Sequence, residues 1–196
     1  MSGSKRVWRA VATLAVLGLI AAGCGDDDDD GGEAASGDGD GSIWVLLPDT
    51  ASSDRWEKDD RRFFADAFEA AGLSEDDDFH IVNAEGDAST QQSQAEQAIA
   101  DGASVIVLTS LDTGSGATII DQAKDAGVKV VEYDRFNTGG SGGDAYVSFD
   151  NVQVGAAMAD AVEPAIDALG LTPARVVMLN GGEEDNNSFL FKQGYE

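Results

Sequence analysis

The chain has 196 residues, with 37 acidic side chains against 12 basic ones and a formal charge of −25. A balance this acidic excludes nucleic acid as a partner, because phosphate recognition requires a basic face. A single cysteine and a single histidine exclude an intrachain disulfide and leave too few ligands for a Cys/His metal centre.

In chain order, Lys5, Arg6 and Arg9 come first and are followed by an uncharged apolar run from Val11 to Ala22. A permanent transmembrane helix needs about 20 apolar residues, so this shorter run reads as the core of a signal peptide over 1–23. It ends in Ile20-Ala21-Ala22-Gly23-Cys24, which resembles a bacterial lipobox with Ala21 where Leu is commonest. That resemblance implies cleavage before Cys24, lipid attachment to Cys24 and an extracytoplasmic protein anchored to the cell membrane. Residues 24–42 are almost entirely Gly, Asp, Glu, Ala and Ser without a basic residue. Such a segment has too little apolar surface to offset its ordering entropy and reads as an extended tether. Asp26, Asp28, Asp30 and Gly31 match half of a calcium loop, but Gly37 stands where the bidentate Glu belongs.

From Ile43 onward, short β-branched runs alternate with helical patterns. Strands are predicted at Ile43–Leu47, Phe79–Val82, Val105–Leu108, Val128–Tyr133, Ala145–Phe149 and Val176–Leu179. Helices are predicted from Asp54 to Gly72, from Thr90, up to Ala126, over Val154–Leu169 and from Asp185 onward. Pro164 is expected to kink or split the fourth of these. The alternation implies a parallel α/β sheet. We expect one α/β domain over 43–150 and the start of a second over 151–196, incomplete at Glu196.

Ligands of open parallel sheets sit beyond the carboxyl ends of the strands. The segments there offer Asp49 and Ser52 to Asp59, Ser110 to Gly116, Asp134-Arg135, and Glu183 to Asn187. These groups suit a sugar. An indole covers an apolar C–H face, Asp accepts from adjacent hydroxyls, and Arg presents a rigid fork of donors. Each also has a structural alternative: Trp56 as a core staple, Asp134-Arg135 as a solvated ion pair, and Asp185 as a helix cap.

Arg55-Trp56-x-x-Asp59, Asn83-Ala84-x-Gly86-Asp87-x-x-x-Gln91, Tyr133-Asp134-Arg135, Ser148-Phe149-Asp150-Asn151 and Asp185-Asn186-Asn187 occur in that order. Together they resemble the periplasmic sugar-binding proteins of ABC importers, most of all the D-xylose-binding group. The resemblance implies the type I periplasmic-binding-protein fold, with two parallel-sheet lobes that close about a hinge at Asp150 and Asn151. It implies sugar contacts from Arg55, Trp56, Asp134 and Arg135 in the first lobe, and from Asp185 and Asn187 in the second. It further implies a monomer without a cofactor that hands a monosaccharide to a membrane permease. Asn180 to Glu184 departs from the Gly-Ser-Pro-like stretch expected before Asp185.

Other functions fit less well. Asp112-Thr113-Gly114-Ser115 spells an aspartic-protease motif, but a second copy to share the proton is absent from the sequence. There is no Gly-x-Ser-x-Gly elbow, dinucleotide fingerprint or P-loop, and His80 lies in a strand pattern. A sensor that presents its bound ligand to a chemoreceptor or histidine kinase would use the same closed form. A repressor's effector domain is excluded by the secretion signal.

Overall fold

The computed structural model describes residues 41–196. The expected signal peptide, Cys24 and nearly all of the tether lie outside the described residues.

Five parallel strands form one sheet: β1 (Ile43–Leu47), β2 (Phe79–Asn83), β3 (Val105–Leu108), β4 (Lys129–Tyr133) and β5 (Ala145–Val147), in the order β2-β1-β3-β4-β5. Helices α1 (Arg61–Ala70), α2 (Ala88–Ala100) and α3 (Thr113–Asp125) alternate with the strands. The central strands are apolar at almost every position because both sheet faces are covered. Trp44, Leu46, Ile106, Leu108 and Val130 face α2 and α3, where Ala95, Ala98, Ile119, Ile120 and Ala123 close the core. Val45, Leu47, Phe79, Ile81 and Val107 face the other way, onto Phe64 and Phe68 of α1.

Helix starts are set by capping carboxylates that satisfy free N–H groups. Asp87 accepts from Thr90 N, so α2 begins at Ala88, ahead of the Thr90 start predicted from the apolar spacing. Asp112 accepts from Gly114 N and Ser115 N and thereby starts α3. The protease-like motif is therefore a helix cap, as its helical flank implied. His80 sits half-buried in β2, its ring 4.4 Å from that of Trp44.

Two expectations need correction. Helix α4 (Asn151–Ala168) runs through Pro164 as one element, so the helix is not split there. Pro164 deletes one i→i−4 bond, and the remaining turns hold the helix together. Val176–Leu179 forms no strand, and Val177 and Leu179 are 84% and 95% exposed. A strand exists only in a ladder, and among the described residues no second strand lies beside this one. Strand β5 also ends at Val147, two residues earlier than its composition suggested.

Helix α5 (Asn186–Tyr195) packs on α4 through glycine. A Cβ on Gly155 would overlap the Phe191 carbonyl, and one on Gly194 would overlap that of Val152. The two backbones therefore approach as closely as they do only because both positions lack a side chain.

Candidate functional site

All five strands run the same way, so the loops after β1, β3 and β4 meet at one sheet edge. The start of α5 joins them, with the Thr113 N–H donating to the Glu184 carbonyl at 3.1 Å. The scaffold beneath is made of residues whose sequence motif had no evident role. Buried Gln91 donates to the Thr109 carbonyl at 3.0 Å and accepts from Leu111 N at 2.9 Å, which locks the loop after β3. Asn83 ties β2 to the loop after β1 through the Asp49 carbonyl, 3.3 Å, and Glu57, 3.0 Å.

Asp134 stands at the centre. Its φ of +64° puts a non-glycine residue in the left-handed region, a costly conformation that persists where surrounding contacts enforce it. The contacts are present: Asp134 N donates to the Val147 carbonyl, and Tyr146 and Ser148 hydroxyls donate to the Asp134 carbonyl. Its side chain is thereby aimed between two donors. Arg55 Nη2 donates to Oδ2 at 2.5 Å, and Asn187 Nδ2 donates to Oδ1 at 3.0 Å.

Arg135 is buried and joins four segments. Nη1 donates to the Ser110 and Leu111 carbonyls at 3.0 and 3.4 Å, and Nη2 reaches Ser52 Oγ at 3.4 Å. Nε lies 3.1 Å from Asp185 Oδ2, though its N–H is not aligned for a hydrogen bond. A planar guanidinium can serve all four directions, which a lysine cannot. Asp185 also caps α5 by accepting from Asn187 N at 2.9 Å. The helix cap posed as the structural alternative for Asp185 is present, and the same carboxylate also pairs with Arg135.

Trp56 is 3% exposed, so it fills a buried position, as the core-staple alternative has it. Its indole N–H donates to Ser52 Oγ at 3.2 Å, and the Arg55 guanidinium lies 4.0 Å from its ring centroid. Ser52 in turn is held by Asp49, through its hydroxyl at 2.8 Å and its N–H at 2.5 Å. The six residues expected at the site, Arg55, Trp56, Asp134, Arg135, Asp185 and Asn187, thus form one connected cluster. Asp134 and Arg135 are no solvated pair: each is buried and takes its charge partner from another segment.

Composition and spacing missed Asp60. The turn Trp56–Asp60 is π-helical, with Arg61 N bonded to the Trp56 carbonyl. It turns Asp60 inward to 3.2 Å from Arg55 Nε, while Asp59, the motif residue, faces solvent beside Arg62. Burial raises the Asp60 carboxyl above its ordinary value; Arg55 opposes that and the like charge of Asp134 adds to it. Burial disfavours the charged Arg55, yet Asp134 and Asp60 outweigh it and raise the guanidinium above its ordinary value.

Asp150 caps α4 through Gln153 N at 2.9 Å. Asn151 is buried next to it, with Oδ1 unpartnered, as is Asn187 Oδ1 in the cluster.

Carboxylates, guanidinium groups, an amide and an indole thus converge at the carboxyl edge of a parallel sheet, an arrangement suited to a small polar solute, as in a binding protein. Residues 44–196 match the family described as periplasmic binding protein domain, and the chain belongs to that family. It is 34% identical over 157 residues to the multiple sugar-binding periplasmic protein SbpA of Azospirillum brasilense, across 78% of this chain and 42% of that protein. It is 33% identical over 142 residues to the D-xylose-binding periplasmic protein of Escherichia coli K12, across 72% of this chain and 39% of that one. An ABC transporter solute binding protein from Clostridium phytofermentans with bound β-D-glucose superposes with a TM-score of 0.66 at 27% identity, covering 78% of this chain and 46% of the other. The chain spans less than half the length of each of these relatives. Membership of a family of binding proteins sets it apart from the enzyme classes that isolated motifs suggested.

Proposed function

We propose that this chain captures a monosaccharide, D-xylose or a similar pentose or hexose, and delivers it outside the cytoplasm to an ABC permease. The observation that carries this reading is the placement of Asp134 between Arg55 and Asn187. A carboxylate held by a donor on each side keeps lone pairs directed at hydroxyls, while Trp56 and the arginines supply a face and a fork. In this reading residues 43–150 form the first lobe, 151–196 begin the second, and Asp150-Asn151 is the first hinge crossing. Sugar touches both lobes only when they are shut, so it shifts the population toward closure. Cys24 carries a lipid that tethers a monomer to the membrane through residues 24–42.

The test is a thermal-shift screen of the full-length protein, without residues 1–23 and with Cys24 replaced, against pentoses and hexoses. A ligand at a thousandfold excess over its Kd adds about 4 kcal/mol of stability. A shift that disappears in Asn187→Ala supports the site, and a flat response to every sugar sinks the reading. Incorporation of labelled palmitate, lost on Cys24→Ala, tests the anchor separately.

A further inference from the structure

The π-helical turn has a consequence for Arg55. On an α-helix, residues five apart point to different sides, and Asp59 rather than Asp60 would lie under Arg55. The wider turn, closed by Arg61 N on the Trp56 carbonyl, reverses this. Asp60 is 6% exposed and faces Arg55 Nε at 3.2 Å, while Arg55 Nη2 faces Asp134 at 2.5 Å. The two carboxylates therefore meet two edges of one guanidinium, Asp134 through a hydrogen bond and Asp60 through charge, the Nε–H not being aligned for a hydrogen bond. The guanidinium carbon lies 4.0 Å from the Trp56 centroid.

We propose that Asp60 is a positioning residue, holding the Nε edge of Arg55 so that the guanidinium stays on Trp56 and against Asp134. The proposal rests on the sugar-binding reading for its functional consequence. Nothing else in the turn replaces Asp60: Glu57 is engaged by Arg61 and Asn83, and Asp59 lies beside Arg62. The charged and titratable groups around Asp60 are Arg55, Asp134, Asp59 and Tyr133. Burial and nearby carboxylates make its charged form costly, so the grip on Arg55 loosens as pH falls. Asp60→Asn removes the charge at the Nε edge and leaves the Asp134 carboxylate in place, so a comparison with the unaltered protein isolates the Asp60 contribution.

Two readouts on the full chain test this, one needing no sugar. In the ligand-free protein, the Arg55 Nε–Hε NMR resonance should move as Asp60 titrates, and Asp60→Asn should abolish that movement. With D-xylose, or whichever sugar the screen selects, Asp60→Asn should weaken Kd about tenfold at neutral pH, equivalent to about 1.4 kcal/mol. The two proteins' affinities should converge as pH falls. Arg55→Lys, which lacks the Nε edge and the fork that meets Asp134, should lose at least as much, with no further loss on adding Asp60→Asn. An unchanged Arg55 titration in Asp60→Asn overturns the positioning role, whatever the ligand. If the screen finds no sugar, the sugar reading fails while the Arg55 resonance still decides the role of Asp60. Additive losses in the double variant also overturn it.

Discussion

Asn187 at the start of α5 donates to the carboxylate of Asp134 at the end of β4, spanning 53 residues of sequence at 3.0 Å. The same carboxylate accepts from Arg55, 79 residues away. One side chain thus holds three segments, and its own backbone is in the left-handed region to do so.

Asp134→Asn separates charge from shape, because asparagine tolerates that backbone as well as aspartate does. The variant keeps an acceptor oxygen but loses the charge that Arg55 meets. Unfolding free energy should fall by about 1–2 kcal/mol, at the low end for a charged hydrogen bond because Arg55 is partly solvated. Urea denaturation of both proteins checks this. Equal midpoints, with equal sugar affinity, would remove Asp134 from the centre of the site.

Substitution can divide the packing role of Trp56 from the ligand role proposed for it. Trp56→Phe leaves a smaller aromatic face and drops the indole N–H bond to Ser52, a loss of about 1 kcal/mol. Trp56→Ala empties a buried position and should cost about 3–5 kcal/mol. If Trp56 is only a core staple, the phenylalanine variant binds sugar as the native protein does. If its face meets the ligand under Arg55, affinity drops in the phenylalanine variant although the fold survives.

The strands and helices of residues 43–133 were legible because each apolar run obeys one period. Val105–Leu108 is apolar throughout, as a strand covered on both faces must be, and it sits at the centre of the sheet. That the six candidate residues would lie together was legible because parallel topology forces the carboxyl-end loops together. Asp60 was not, since a π turn shifts the inward residue by one and leaves no mark in composition. Val176–Leu179 misled for a related reason. Its β-branched content reports a preference, whereas a strand also requires a neighbour to pair with.

Acid dependence should split by sign between two carboxylates. The folded Asp60 carboxyl is raised, so the native state binds its proton more tightly than the unfolded chain does. Stability through this group therefore falls as pH rises between its unfolded and folded values. Asp87 is the opposite case: hydrogen bonds from Ser89 and Thr90 lower it, so its contribution is present above the unfolded value and lost as pH falls through the folded one. Relative to the native protein, Asp60→Asn should gain stability as pH is raised, and Asp87→Asn should lose it. Thermal melts across acid to neutral pH on the three proteins distinguish the slopes. Two slopes of the same sign would contradict the burial of Asp60.

Gly155→Ala offers the clearest sign test of the α4–α5 contact. Helix propensity alone favours alanine over glycine by about 1 kcal/mol in a helix interior. Packing argues the reverse, because the added Cβ would overlap the Phe191 carbonyl and press on Gly194. Backbone atoms cannot rotate away as a flexible side chain would, so the helices must separate, at about 1–3 kcal/mol. Packing should win, and the variant should melt lower than the native protein. Separation would also carry the first turn of α5 away from β4 and lengthen the Asn187–Asp134 bond. Sugar affinity should therefore fall together with stability, although Gly155 belongs to no part of the site. A variant that melts higher would show that propensity dominates and that α5 does not depend on α4 for its position.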